Sequence, residues 1–337
     1  MKLILDLLSK LLRLAALVLA IAAAVAAVLA LGGAIDDRLD AISHLAPFFL
    51  AGGIAALALH LVTPGERGGV TPVLAAIAIL AAGGLMAPDV IAAARDHRAT
   101  PSGETLKLVQ FNLWGRNRDP QGSARWILKE DPDVVVLEEA FDNSMVVPKA
   151  LARRFPYRTT CAEPQICSTM ILATARPRAE GGLETKGALA HLSGAWASFG
   201  APDTGYTVVG VHYTWPIPAG PQQSQSRRLA RAMEGFNKAS LILAGDFNST
   251  PWSFSLHRQD ARFGLIRRTH ALFTWPAAPF SRQRINSPLP FLPIDHVYAG
   301  TAWRTVDVHR GPRLGSDHYP VVITLTRSPA EPPPAGP

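Results

Sequence analysis

The stretch LILAGDFNSTPWS, residues 241–253, runs apolar and then ends in Gly245-Asp246-Phe247-Asn248. The continuous apolar run predicts a buried strand. Side chains alternate faces along a strand, so the spacing puts Asp246 and Asn248 on one side and Phe247 on the other. A carboxylate and an amide together at a strand tip are expected only where both address a common target. The Thr250-Pro251-Trp252-Ser253 that follows suits a helix start.

Other strands repeat the pattern. LKLVQFN (106–112) ends in Asn112, and DVVVLEEA (133–140) carries Glu138-Glu139. YTVVGVHY (206–213) delivers His212, and PIDHVYAG (293–300) begins with Asp295-His296. Asp317-His318 stands just ahead of YPVVITLT (319–326). STMILAT (168–174) and HLSGAWASF (191–199) read as further strands, and QGSARWILKED (121–131) and QSQSRRLARAMEGFNKA (223–239) as helices. Each polar residue has a local reading: Asn112 as a turn residue, Glu139 as a helix cap, Asp317 in an Asx-turn. Five or six such endings at strand tips point instead to one site. Carboxylates with an amide suit a hard cation that takes oxygen ligands, and histidines suit proton transfer or an anionic transition state.

FNLWG (111–115), VVVLEEA (134–140), VHYTWP (211–216), GDFNSTPWS (245–253), PIDHV (293–297) and GSDHYP (315–320), in that order, resemble the endonuclease/exonuclease/phosphatase superfamily of DNase I-like, metal-dependent phosphohydrolases. The resemblance covers nearly all of residues 106–326. It implies an α+β fold, a four-layer α/β/β/α sandwich. It implies Mg²⁺ or Mn²⁺ held by Glu139, with Asn112 and Asp317 on the metal side. It also implies His212 donating to phosphate, Asp246 activating water, Asn248 binding phosphate or that water, and His318 facing the scissile phosphate with Asp295 orienting it. The family usually has Gln-Glu where this chain has Glu138-Glu139. Alternation turns Glu138 away from Glu139, so the metal site stands while a hydrogen bond to substrate is lost. His296 points away from the site by the same logic.

The first hundred residues are of another kind. Residues 14–35 carry no charge, residues 41–62 none apart from two His, and residues 68–88 are a third uncharged run. Each is long enough to cross a bilayer. A cleaved leader competes for the first run; the two runs behind it favour three transmembrane helices. Lys2, Lys10 and Arg13 place the N-terminus in the cytoplasm, and three spans then carry the rest to the periplasmic or extracellular side of the inner membrane. The expected plan is a membrane anchor (1–95), a polar linker (96–105), a catalytic domain (106–327) and a disordered Pro-rich tail (328–337).

Residues 1–99 balance seven Lys/Arg against seven Asp/Glu, so the formal charge of +7 lies on residues 100–337. That favours anionic partners: nucleic acid, phosphorylated small molecules or lipid headgroups. Family members cleave DNA, RNA, sphingomyelin and inositol phosphates, and the resemblance chooses none of them. A nuclease-like phosphodiesterase, a lipid or inositol-phosphate phosphoesterase and a non-enzymatic anchored binding module of the same fold all stay open. Trp215, Trp252 and Trp275 lie near motifs, as base-stacking surfaces or as core. Arg282 and Arg284 are candidates for phosphate contacts. Cys161 and Cys167, in CAEPQIC, suit a small disulfide loop outside the cytoplasm, with two free thiols as the alternative.

Overall fold

A computed structural model describes residues 1–96, 98–162, 167–183, 191–277 and 287–328. Arg282, Arg284 and the tail from residue 329 lie outside the described residues. Contacts divide the chain into two units: Met1–Ala94 with Ile217–Ala219 and Ser249–Arg258, and the remainder from Arg95 on.

The first unit holds the apolar helices α1 (Lys2–Leu31), α2 (Asp37–Ser43), α3 (Ala46–Val62) and α4 (Val70–Arg95). In α1, Ala16, Ala20, Ala23, Ala24, Ala27 and Ala30 are buried, while Leu7, Leu11, Val18, Ile21, Val25 and Val28 are exposed. Small residues at helical spacing let helix backbones approach closely, and exposed branched side chains suit lipid. Among the described residues two helices, over Lys2–Ala34 and Val70–Arg95, are long and apolar enough to cross a membrane. Helices α2 and α3 reach that length only as a pair, bent by 57°. The expected three spans are therefore two, or three if the bent pair is one.

The short α2 has a second partner in this unit. The carboxylate of Asp40, 2% exposed, accepts from Phe254 N at 2.8 Å and Ser255 N at 2.7 Å, and His44 Nδ1 lies 2.9 Å from Thr250 Oγ1. Asp40 thereby caps the orphan N–H groups that begin helix α8, Phe254–Phe263.

The second unit is built on two six-stranded sheets. One has the order β11–β12–β1–β2–β4–β3, the other β5–β6–β7–β8–β10–β9. The first comprises β1 (Thr105–Asn112), β2 (Val134–Glu138), β3 (Tyr157–Thr160), β4 (Met170–Ala173), β11 (Trp303–Arg310) and β12 (Val321–Arg327). The second comprises β5 (Ala179–Gly182), β6 (Ser193–Phe199), β7 (Tyr206–His212), β8 (Leu241–Asp246), β9 (Ile266–Arg267) and β10 (Asp295–Ala299). Parallel pairs β1–β2 and β7–β8 lie at the centre of each, and antiparallel partners surround them.

Leu108, Val134, Val136 and Ile171 of the first sheet share one buried cluster with Ala197, Val208, Ile242, Ala244 and Val297 of the second. The sheets thus pack face to face, and each such Val, Leu or Ile stabilises the sandwich by roughly 1.5–3 kcal/mol. On the outer face of the first sheet, Val109, Phe111, Val135 and Leu137 meet helices α5 (Pro120–Glu130) and α6 (Val146–Leu151). Helix α7 (Ala219–Ala232) begins four residues earlier than its sequence pattern and stops at Ala232. Cys161 and Cys167 pair as a disulfide, their Cα atoms 5.9 Å apart.

Candidate active site

The inner face changes character along each central strand. It runs Leu108, Gln110, Asn112 in β1; Val134, Val136, Glu138 in β2; and Ile242, Ala244, Asp246 in β8. In β10 it runs the other way, Asp295 then Val297 and Ala299, because that strand is antiparallel to β8. Register pairs Asp246 with both His212 and Asp295, and Asn112 with Glu138. Apolar core therefore gives way to polar side chains at one end of the sandwich, in both sheets.

Asp246, 1% exposed, lies at the centre. Asn112 Nδ2 donates to its Oδ2 at 3.0 Å; His212 Nε2 is 3.6 Å and His318 Nε2 3.7 Å from the same oxygen. Its Oδ1 accepts the backbone N–H of Asn248 at 2.8 Å. Asp246 and Asn248 do meet, but not by strand alternation. The strand stops at Asp246, and Asn248 takes a left-handed conformation, φ 48°, in an Asx-turn on the Asp246 carboxylate. Just before it, Gly245 (φ 157°) lets β8 lie close to β7: a Cβ there would sit 1.9 Å from Val211 O. Asn248 Nδ2 then donates to Tyr213 O at 2.8 Å and lies 3.5 Å from His212 Nε2.

Behind Asp246, His318 Nδ1 lies 2.9 Å from Asp295 Oδ2, and both residues are buried. Ser316, which sequence reasoning passed over, accepts from His318 N and donates to Asn112 O. It ties the final loop to β1. Burial alone would lower the His318 pKa; Asp295, Asp246 and Asp317 outweigh it and hold it well above 6.5. Burial would raise Asp295, but the His318 charge and its hydrogen bonds hold that carboxyl below the usual range. Asp246 goes the other way. Burial pushes it up to about 6, against the pull of His318.

Glu139 follows the end of β2 at φ 50°. Its Oε1 accepts from Asn112 Nδ2 at 3.2 Å, and its Oε2 meets Gly115 N only at 3.4 Å. Asn112 Oδ1 is taken by Trp114 N, so its amide nitrogen bridges Glu139 and Asp246. Asp317 has one buried carboxylate oxygen, Oδ1, with no hydrogen-bond partner among the described residues. Burial, then the Glu139 charge, raises its pKa. Oxygen donors left short of partners, on two acids that repel each other, are the kind of set a hard divalent cation fits. Asp246, Asp295 and His318 also converge, with ligand atoms within 4.8 Å of one another. There, however, both Asp295 oxygens already accept hydrogen bonds, from Gln110 and His318. That cluster is already knit by hydrogen bonds, whereas Glu139 and Asp317 offer carboxylate oxygens that could hold a cation.

Glu138 is fully buried between the sheets. Its Oε2 accepts from Gln110 Nε2 at 2.9 Å, and burial, then Asp295 and Asp246, raises its pKa well above the ordinary value. Gln110 was not singled out from sequence, although it shares the two-residue alternation of Leu108 and Asn112. His296 faces Phe247 and Tyr298 on the far side of its sheet. Trp252 is buried, whereas Trp215 is 60% exposed, edge-on to Trp275 at 6.1 Å.

Solved structures share this fold. Sphingomyelinase C from Streptomyces griseocarneus is 19% identical, covers 66% of this chain and 99% of its own, and superposes with TM-score 0.52. A truncated TDP2 from Caenorhabditis elegans is 13% identical, covers 67% of this chain and 100% of its own, with TM-score 0.54. A Staphylococcus aureus beta toxin variant with bound magnesium ions is 14% identical, covers 67% of this chain and 100% of its own, with TM-score 0.51. At these identities the likeness is one of fold. No curated protein matches the chain. The profile of the Endonuclease/Exonuclease/phosphatase family matches residues 109–318, more than half of the sequence, and the chain is a member of that family.

Proposed function

We propose that this chain is a membrane-anchored, divalent-metal-dependent phosphoesterase that cleaves a phosphodiester by in-line attack of water. The observation that carries this reading is Asp246: a buried carboxylate, raised to about 6, set between His212, His318, Asn112 and Asn248. Such a group ionises near neutral pH and can take a proton from water. His318, kept charged by Asp295, donates to the phosphoryl oxygens, and His212 and Asn248 donate beside it. Glu139 and Asp317 would hold Mg²⁺ or Mn²⁺. When bound, that cation supplies a Lewis acid that neutralises charge on a phosphoryl or leaving oxygen.

Lys2, Lys10 and Arg13 favour a cytoplasmic N-terminus. If the bent α2–α3 pair is one crossing, the catalytic unit lies on the periplasmic or extracellular face of the inner membrane. The Cys161–Cys167 disulfide supports that side, because disulfides persist in oxidising compartments.

The test is hydrolysis of bis-p-nitrophenyl phosphate by the full chain in detergent, with Mg²⁺ or Mn²⁺, with EDTA, and with His318→Ala. Metal-dependent cleavage lost in the variant is the expected result. Plasmid DNA and anionic phospholipid vesicles, run in parallel, separate a nuclease from a headgroup phosphoesterase. Cleavage of none of the three leaves a narrow-specificity enzyme or an anchored binding module, and calorimetry separates them: a folded protein that binds no Mg²⁺ would end the enzymatic reading.

A further inference from the structure

Two polar side chains lie deeper in the sandwich than the proposed reaction requires. Gln110 and Glu138 occupy inner-face positions of β1 and β2, each one step along from apolar Leu108 and Val136. Both are fully buried. The Gln110 amide nitrogen donates to Glu138 Oε2 at 2.9 Å within its own sheet and to Asp295 Oδ1 at 2.8 Å in the opposite sheet. Its two N–H groups are thus spent on two carboxyls, one on either side of the core. The reverse amide orientation would turn an oxygen on the ionised Asp295 carboxylate, so Asp295 fixes the donor orientation.

This bridge is costly as structure. Gln110 Oε1 and Glu138 Oε1 are both buried with no hydrogen-bond partner among the described residues. Orphaned polar atoms of this kind cost stability, and a well-packed apolar pair would avoid that. What the bridge secures lies one bond further on. Asp295 has two oxygens: Gln110 holds one, and His318 Nδ1 is on the other. With Oδ1 fixed from the opposite sheet, the carboxylate plane is fixed, and so is the direction in which Oδ2 receives the imidazole. The ring's other nitrogen then faces Asp246 at 3.7 Å.

We propose that Gln110, held by Glu138, is a positioning residue: a cross-sheet bridge that orients Asp295 and, through it, His318. The departure at Glu138 then has a role that is not contact with substrate, because its carboxyl is the bridge's second anchor. A glutamine at position 138 would serve equally, since its amide oxygen accepts the same N–H. The inference rests on the hydrolytic reading of the site.

The test uses the full chain in detergent. Gln110→Met keeps the shape and removes both donors. The double variant Gln110→Met/Glu138→Leu also removes the carboxyl that Gln110→Met strands, so it is the form expected to fold without an orphaned group. In both, kcat for bis-p-nitrophenyl phosphate should fall on the order of 10–100-fold, the size found for partners one step removed from a site, with KM within about twofold. Glu138→Gln should keep kcat, while a purely structural role would lower thermal stability and leave kcat intact. A second readout needs no turnover. The Nδ1 proton of His318, assigned by its loss in His318→Ala, should be a slowly exchanging downfield resonance in wild type and Glu138→Gln, and broaden or vanish in the double variant. Wild-type kcat and an unchanged His318 resonance in the folded double variant would overturn the bridge. A wild type that neither hydrolyses the diester nor binds Mg²⁺ yet shows the resonance, with its loss in the double variant, would refute the hydrolytic reading and leave the bridge standing.

Discussion

Asp295→Asn perturbs the site at the point where its electrostatics meet its geometry. The carboxylate accepts from two buried donors, Gln110 Nε2 at 2.8 Å and His318 Nδ1 at 2.9 Å. An asparagine offers one oxygen. Whichever donor takes it, the other faces an NH₂ group. Losing a charge-assisted bond and stranding one buried donor together cost about 2–4 kcal/mol. The charge lost is also the first of the influences that raise His318 above its ordinary value, so the imidazole drifts toward its neutral form near pH 7. If this disturbance falls on the transition state, where His318 faces developing negative charge, kcat drops roughly 30–1000-fold at about 1.4 kcal/mol per decade. KM should change little, because the remaining donors to phosphate stay in place. The assay is steady-state hydrolysis of bis-p-nitrophenyl phosphate at saturating Mg²⁺, with thermal unfolding run beside it. A folded Asp295→Asn protein with kcat within fivefold of wild type would refute the claim that His318 acts as a carboxylate-held cation.

Glu139→Gln should weaken Mg²⁺ binding by an order of magnitude or more by calorimetry without unfolding the protein, since it removes charge from the proposed oxygen ligand; unchanged affinity would place the cation elsewhere. Activity should fall as pH drops through about 6, where Asp246 takes up a proton, and should decline on the basic side only well above 6.5, where His318 loses one; an acid limb set by another group would survive in Asp246→Glu with its midpoint unmoved. For stability the signs differ by partner: the raised His318 contributes fully below 6.5 and is lost as pH rises through its folded value, while the depressed Asp295 contributes above 3.8 and is lost on acidification. Asp40→Ala strips two backbone N–H groups at the start of α8 of their acceptor and should destabilise the first unit by about 1–3 kcal/mol, read as faster exchange of the Phe254 and Ser255 amides. Cys161 and Cys167 should resist maleimide in intact cells until a reductant is added; ready labelling without reductant would argue for a reducing compartment.

Much of this site was legible because its side chains sit at strand ends, where a two-residue period assigns faces. Leu108, Gln110 and Asn112 follow it, as do Ile242, Ala244 and Asp246. The period fails where the backbone leaves the strand. Glu139 and Asn248 both turn left-handed just past their strands, at φ 50° and 48°, and neither angle is written in residue spacing. Asn248 reaches Asp246 through its backbone N–H, a contact that alternation does not anticipate. The edge strands β3, β5, β9 and β11 were illegible for a different reason. Their residues are half-exposed and polar, as in Trp303–Arg310, so they carry no buried run to read. At the N-terminus, composition recorded three uncharged runs but not the 57° bend that divides the second.

The polar end of the core explains why the site needs two sheets. Asp246 and Asp295 are neighbours across the β8–β10 ladder, with His318 between their carboxylates. Two buried acids on adjacent strands repel each other unless something positive or hydrogen-donating lies between them. His318 supplies the charge, but it comes from the loop before β12, which belongs to the other sheet. Asn112 and Gln110, which donate to the same two acids, also come from that sheet. One sheet thus carries the paired carboxylates and the other brings most of the donors that let them stay ionised. Separating the sheets would relieve the burial that raises Asp246 and let its pKa fall toward the ordinary value, while Asp295, losing His318, would rise toward its own, so packing of the sandwich and protonation of the site are linked.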